Sequence, residues 1–302
     1  MSVNHFISIR DLSKVELTAL IESGQRFAEG DLKTRTSYHG KAIAQLFCEN
    51  STRTRVSFEL AAIQLGLHVV NLDKQMSSMA KGESVVDTAL TLEAMGFAAL
   101  VMRHQEESVI SEVAAHCHRM AIISAGAGTT EHPSQMILDA MTILQRKSRF
   151  EGLTVAIIGD IYHSRVAHSD IRGLSTLGVK TIRCIAPERG LPQPIAGVYL
   201  ECFTKVDGHL EDVDVVIVLR VQQERIQAER LCDISTYIEQ FQLTPARLAT
   251  AKPDAIVMHP GPVNRGMEIT SDVVDGQQSV ILQQVNNGVF ARMAIIDHIL
   301  SK

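Results

Sequence analysis

With 302 residues, 45% of them hydrophobic, and a formal net charge of -5, the chain has the length of about two domains and enough apolar side chains for packed cores. The negative balance argues against nucleic acid or an anionic membrane as partner, since each favours a basic surface. No apolar run approaches a membrane span and the N-terminus has no signal-peptide pattern. The five cysteines, Cys48, Cys117, Cys184, Cys202 and Cys232, include no Cys-x-x-Cys pair, which suits reduced thiols in a cytoplasm.

In chain order, residues 9–30 carry the Asp11/Ser13 start and the Leu17, Leu20, Ile21 spacing of an amphipathic helix. Residues 41–47 read as a short apolar strand. From Ser51 the spacing becomes helical, with Val56, Leu60 and Ile63 on one face and Gly66 as the stop. A strand at 67–72, a polar loop at 73–84 and a helix from Val85 follow, then a buried strand at 97–102 with Arg103 and His104 at its end. Residues 121–124 form another strand, leading through Gly126 and His132 to a helix with Pro133 in its first turn. His116-Cys117-His118 does not make a metal site, because adjacent residues on a helix point in different directions.

A second series begins after Gly152. Strands are predicted at 153–158, 179–185, 213–219 and 255–258, with Arg165 opening a helix that Gly178 closes and a turn-rich excursion at 187–194. The last helix, from about Asn287, puts Phe290, Ala294, Ile295 and Ile299 on one face. Strands alternating with helices predict an α/β chain of two doubly wound domains, each a mostly parallel sheet flanked by helices, with the boundary at 145–152.

Chemistry concentrates at Ser51-Thr52-Arg53-Thr54-Arg55, where a strand gives way to a helix. A helix N-terminus offers unpaired N–H groups and a positive dipole, so with these hydroxyls and guanidiniums it suits an anion with several oxygens, phosphate best of all. A cap needs one hydroxyl, not this cluster. Arg103, His132, Arg165, Arg220 and 260–262 likewise follow the carboxyl ends of predicted strands, the edge where open α/β sheets bind ligands. No dinucleotide fingerprint, Walker A sequence, HExxH helix or Gly-x-Ser-x-Gly elbow accompanies them.

On these residues the chain resembles the aspartate/ornithine carbamoyltransferase family almost from end to end. The resemblance implies that Ser51, Thr52, Arg53, Thr54, Arg103, His132 and Gln135 contact carbamoyl phosphate, with Gly261 and Pro262 presenting main-chain carbonyls. Arg53, Thr54, Arg103 and His132 take the catalytic role. Ser77 and Lys81 match residues that enter from a neighbouring subunit of a homotrimer, Ser77 toward carbamoyl phosphate and Lys81 toward aspartate. Arg165, Arg220 and Gln222 match the groups that hold the carboxylates of L-aspartate. Residues 1–145 and 287–302 are then a carbamoyl-phosphate-binding domain to which the C-terminal helix returns, and 146–286 an aspartate-binding domain. Ornithine-using relatives carry His-Cys-Leu-Pro where this chain has His259-Pro260-Gly261-Pro262, and an ornithine side chain would meet charge of the wrong sign. Cys48 stands where an aromatic is common, and Ala80 where some relatives have a second basic residue. The resemblance implies no metal and no organic cofactor, and leaves open another amine as acceptor, a non-catalytic paralogue, and regulatory or other partner chains.

Overall fold

Each half of the chain folds as its alternation of strands and helices requires, into a parallel sheet with helical crossovers. The structure is a computed structural model that describes residues 3–30, 38–72, 78–221 and 232–301. The chain divides into two units, Met1–Met141 with Val285–Lys302, and Thr142–Gln284. None of its described helices is long and apolar enough to cross a membrane.

The first unit holds strands β1 (Ala42–Phe47), β2 (His68–Leu72), β3 (Ala99–His104) and β4 (Ala121–Ala127), all parallel, in the order β2-β1-β3-β4. Its helices are α1 (Lys14–Ala28), α2 (Thr52–Gln64), α3 (Val85–Ala94), α4 (Glu107–His116) and most of α5 (Pro133–Lys147). Helix α1 starts where the sequence places it, through a capping box in which Glu16 N–H donates to Ser13 Oγ and Ser13 N–H donates to Glu16 Oε2. Gly24 in α1 is a close-approach position: a Cβ there would lie 3.0 Å from Met141 Sδ and 3.6 Å from Ala291 Cα.

The second unit orders its parallel strands β7-β6-β5-β8-β9, from β5 (Thr154–Ile158), β6 (Thr181–Ile185), β7 (Leu200–Phe203), β8 (Val215–Val218) and β9 (Ile256–Met258). Helix α6 (Arg165–Leu177) closes at Gly178, whose φ of 102° is left-handed, as a glycine stop demands. Helix α7 (Ile234–Phe241) is capped by Asp233, and single turns α8 (Pro245–Leu248) and α9 (Ser271–Val274) follow. Tyr237, Phe241, Val216, Val218, Val257 and Ile269 lie in this unit's core. The last helix, α10 (Ile281–Leu300), returns to the first unit, burying Ala291, Met293, Ala294, Ile295 and Ile296, while Tyr38 Oη donates to Asp297 Oδ1 at 2.7 Å.

Helix α2 departs from expectation. Its buried residues are Thr54, Phe58, Ala61 and Ala62, whereas Val56, Leu60 and Ile63 are 51%, 42% and 55% exposed. The apolar spacing identified a helix but named the wrong inward face, because α2 lies against its sheet through one phenylalanine and small residues. The C-terminal helix also begins earlier than 287, its first turn masked in the sequence by an exposed Leu282.

One carboxylate organises the turn that feeds β4. Glu93, in the last turn of α3, accepts from the backbone N–H groups of His118, Arg119 and Met120 at 2.7, 2.6 and 3.0 Å. Burial pushes its pKa up, but those three donors and the Arg119 charge outweigh it and hold the carboxyl below its usual range. We expect Glu93→Ala to lower unfolding free energy at pH 7 by about 1–3 kcal/mol, the worth of donors left without their acceptor. A depressed folded pKa gives stability that is present above the unfolded value near about 4.3 and is lost as pH falls through the folded value. Urea midpoints of wild type and variant should therefore converge in acid; a gap of constant size from pH 7 to pH 3 would contradict this role.

Candidate active site

In the first sheet the strand order reverses between β1 and β3, and the cluster lies there. Helix α2 leaves the end of β1, and Arg103 stands at the end of β3, in register with Phe47. Such a switch point opens a crevice beyond the strand ends. Ser51 occupies the N-cap position of α2 with extended backbone but makes no side-chain cap. Its Oγ instead accepts from Arg103 Nη1 at 3.3 Å. The hydroxyl that a helix start would normally consume is thus turned toward a cation, unlike that of an ordinary cap.

Arg103 is fixed from the other side as well, since its Nε donates to Glu49 Oε2 at 2.9 Å with both side chains largely buried. Arg53, in the first turn, is exposed, and Thr54, one residue on, is buried. Thr54 Oγ1 lies 3.4 Å from His132 Nε2, so the loop after β4 brings its histidine to the helix start. Glu131, beside His132, accepts from Ile9 N–H through Oε2 and pairs with Arg10 through Oε1 at 2.8 Å. Its charge is therefore answered by Arg10. Gln135, in the first turn of α5, donates its amide to the buried Asp139.

The structure therefore assembles Ser51, Thr54, Arg103 and His132 at one sheet edge, with Thr52, Arg53 and Gln135 in the adjoining helix turns. Sequence reasoning did not identify Glu49, Asp139 or Arg292. Arg292 lies in α10, 3% exposed, with burial first and then the Arg103 charge pulling its pKa down to about 9 against the opposing Asp139 carboxylate. A readable signal existed: Asp139 and Arg292 are single charges inside otherwise apolar helical stretches.

The second sheet repeats the arrangement. Its order reverses between β5 and β8, and Arg165 follows β5 while Arg220 follows β8. Arg165 is the first residue of α6, behind the N-cap Ser164, whose hydroxyl accepts from Ala167 N–H. Beside it, His163 Nδ1 lies 3.0 Å from each Asp160 oxygen. Past β9, Gly261 N–H donates to His259 Nδ1 at 2.8 Å. His259 Nε2 then carries the ring proton and faces Glu268 Oε1 at 3.1 Å, both side chains fully buried. Glu268 also accepts from Asn264 N–H and Val221 N–H, and Asn264 Nδ2 donates to Val221 O, so one carboxylate ties the 259–264 loop to the chain just after Arg220.

Lys81 ends the short helical turn Ser78–Lys81 and is exposed. Ser77 and Gln222 lie outside the described residues.

Two known domain families match the chain: the carbamoyl-P binding domain of aspartate/ornithine carbamoyltransferase over residues 4–145, and its Asp/Orn binding domain over residues 151–299. The aspartate carbamoyltransferase catalytic subunit of Vesicomyosocius okutanii is 44% identical over 99% of this chain and 94% of that protein. The crystal structure of Trypanosoma cruzi aspartate transcarbamoylase in complex with carbamoyl phosphate superposes with a TM-score of 0.90 at 30% identity, covering 99% of this chain and 96% of that one. The ornithine carbamoyltransferase of Pyrococcus furiosus superposes with a TM-score of 0.87 at 26% identity, covering 99% and 98%. From the cation cluster at each switch point to the matched length, these findings place the chain in the aspartate/ornithine carbamoyltransferase family.

Proposed function

We propose that the chain transfers the carbamoyl group of carbamoyl phosphate to the α-amine of L-aspartate, giving N-carbamoyl-L-aspartate and phosphate, an early step of pyrimidine biosynthesis. The observation that carries this reading is the uncapped helix start at Ser51, whose hydroxyl is turned to Arg103 at a sheet switch point. Residues 1–145 with 287–302 hold carbamoyl phosphate through Ser51, Thr52, Arg53, Thr54, Arg103, His132 and Gln135. Residues 146–286 hold aspartate through Arg165, Arg220 and Gln222, with the Gly261 and Pro262 carbonyls orienting the carbamoyl NH2.

Charge favours aspartate over ornithine. Carbamoyl phosphate brings about two negative charges and aspartate two carboxylates, so a site for both needs several guanidinium and ammonium groups, and a side chain with a positive charge would meet the wrong sign there. Carbamoyl phosphate binds first and the neutral amine of aspartate attacks the carbamoyl carbon. The tetrahedral oxyanion is met by Arg53, Thr54, Arg103 and His132 as its charge develops, and phosphate leaves, taking the amine proton. Protein groups hold the substrates and meet the developing charge, and the leaving phosphate is the proton acceptor.

A homotrimer with shared sites completes the proposal, Ser77 and Lys81 coming from the neighbouring chain. The exposed stripe of Val56, Leu60 and Ile63 on α2 supports self-association, because aliphatic side chains at i, i+4 and i+7 gain from being covered. Five free cysteines support a cytoplasmic setting.

The reading is tested by phosphate release from carbamoyl phosphate with aspartate and ornithine in parallel. Release should depend on aspartate, and Arg103→Ala and Arg53→Ala should keep wild-type circular dichroism while losing about a hundredfold or more in turnover. Near-normal turnover in either variant would remove that residue from the site. For Arg220→Ala, calorimetry should show weakened aspartate binding with carbamoyl phosphate affinity little changed; equal weakening of both ligands would place Arg220 elsewhere.

Sharing of sites has its own test. Lys81→Ala and Arg53→Ala chains are each expected to be nearly inactive, yet a hybrid trimer contains interfaces where an intact Arg53 meets an intact Lys81. Unfolding and refolding the two variants together should restore activity, whereas verified hybrids without any gain would return Lys81 to its own chain's site or to solvent.

A further inference from the structure

Gln135 does not present an ambiguous amide. Its Nε2 donates to both oxygens of Asp139, at 3.1 and 3.2 Å, one helical turn further along α5. An ionised carboxylate only accepts, so the NH2 must face it, and the carbonyl oxygen is the end of Gln135 that remains for a ligand. Asp139 is fully buried and lies within the field of an equally buried guanidinium, that of Arg292. Arg292 is itself seated by three elements. Its Nη1 donates to Gly288 O at 2.7 Å, its Nη2 donates to Ser134 Oγ at 3.4 Å, and its guanidinium carbon lies 5.1 Å from the centroid of the Phe58 ring in α2. Room for it depends on Gly288, where a Cβ would come within 2.7 Å of Nη1.

We propose that Asp139, backed by Arg292, is a positioning residue that locks the Gln135 amide with its carbonyl toward the ligand, so that the site selects a carbamoyl NH2 over an acyl group that has no N–H. This rests on the carbamoyl-phosphate reading above. A fixed acceptor gains a hydrogen bond from NH2 and nothing from CH3, and a donor facing the same place would reverse the preference. Acetyl phosphate, which keeps the phosphate and carbonyl and replaces NH2 with methyl, is the matched probe.

The test is calorimetric binding of carbamoyl phosphate, acetyl phosphate and inorganic phosphate without aspartate. Wild type should prefer carbamoyl to acetyl phosphate by about tenfold or more, the worth of one hydrogen bond. Asp139→Asn, whose amide can donate to Gln135 and turn it round, should lose most of that ratio while inorganic phosphate binding stays within about twofold, a split that a general loosening of the site would not produce. Because Asp139→Asn leaves Arg292 buried beside a neutral group, the double variant Asp139→Asn/Arg292→Met is measured too, with the same expectation. Gln135→Met, which leaves Asp139 and Arg292 in place, must also lower the ratio, the part that remains coming from the Gly261 and Pro262 carbonyls. If it keeps the ratio, the proposal is wrong whether or not the Asp139 variants fold. A wild-type ratio retained by a folded Asp139 variant, or equal weakening of all three ligands, overturns it as well. Failure of wild type to bind carbamoyl phosphate at all would instead overturn the function on which it rests.

Discussion

Everything at the two candidate edges depends on the point in each parallel sheet where the strand order reverses. Elsewhere in such a sheet, successive crossovers run to the same face, and the loops leaving neighbouring strands lie side by side without a gap. At the reversal the chains leaving two neighbouring strands go to opposite faces, and the strand ends stay open. In the first sheet those strands are β1 and β3, and in the second β5 and β8. The cations follow this geometry: Arg53 and Arg103 at one reversal, Arg165 and Arg220 at the other. A side chain at the end of a strand is also aimed by the ladder beneath it, as Arg103 is through its register with Phe47 and the bond from Cys48 N–H to its carbonyl.

Cations drawn out of water at such an edge are costly unless each is paired and its donors are satisfied. The first unit does this with acids placed behind the donors. Glu49 takes Arg103 Nε and leaves its Nη1 for Ser51, while Asp139 takes the Gln135 amide within the field of Arg292. The same division recurs in the second unit, where Glu268 receives two backbone N–H groups and a histidine. In each case the carboxylate consumes one end of a polar group and thereby decides what the other end offers. Preorganisation of this kind lets donors meet developing charge without rearranging at the moment of reaction.

The alternation of elements, the strand ends and the helix start at Ser51 were legible in the sequence because each is a local signal: an apolar run, a change of period, a cluster of hydroxyls and guanidiniums. Long-range features were not. Leu200–Phe203 is only four residues and joins the sheet as an edge beside β6, a pairing no local pattern specifies. Val56, Leu60 and Ile63 carry true helical spacing, and what went unread was which side faces the sheet, since Phe58 flanked by alanines packs closer than a row of branched side chains. The supporting charges were invisible for a related reason. Arg292 is more than 150 residues from Ser134 in sequence, and only the return of α10 to the first unit makes them neighbours.

The histidines show why motif and role must be separated. His259 opens the His259-Pro260-Gly261-Pro262 stretch and sits at a strand end, where a proton-transfer role would be the natural guess. Its hydrogen bonds assign it otherwise. Nδ1 is occupied as the acceptor of Gly261 N–H and Nε2 as a donor to Glu268, inside a ring of fully buried atoms. A ring with both nitrogens engaged in the fold is committed to it, so His259 shapes the 259–264 loop. His132, by contrast, turns Nε2 to a hydroxyl of the anion cluster, Thr54 Oγ1. That nitrogen faces the first turn of α2. The chain thus uses two strand-end histidines in opposite ways, one to hold a backbone loop and one to face the first turn of α2, and only the partners of their ring nitrogens tell them apart.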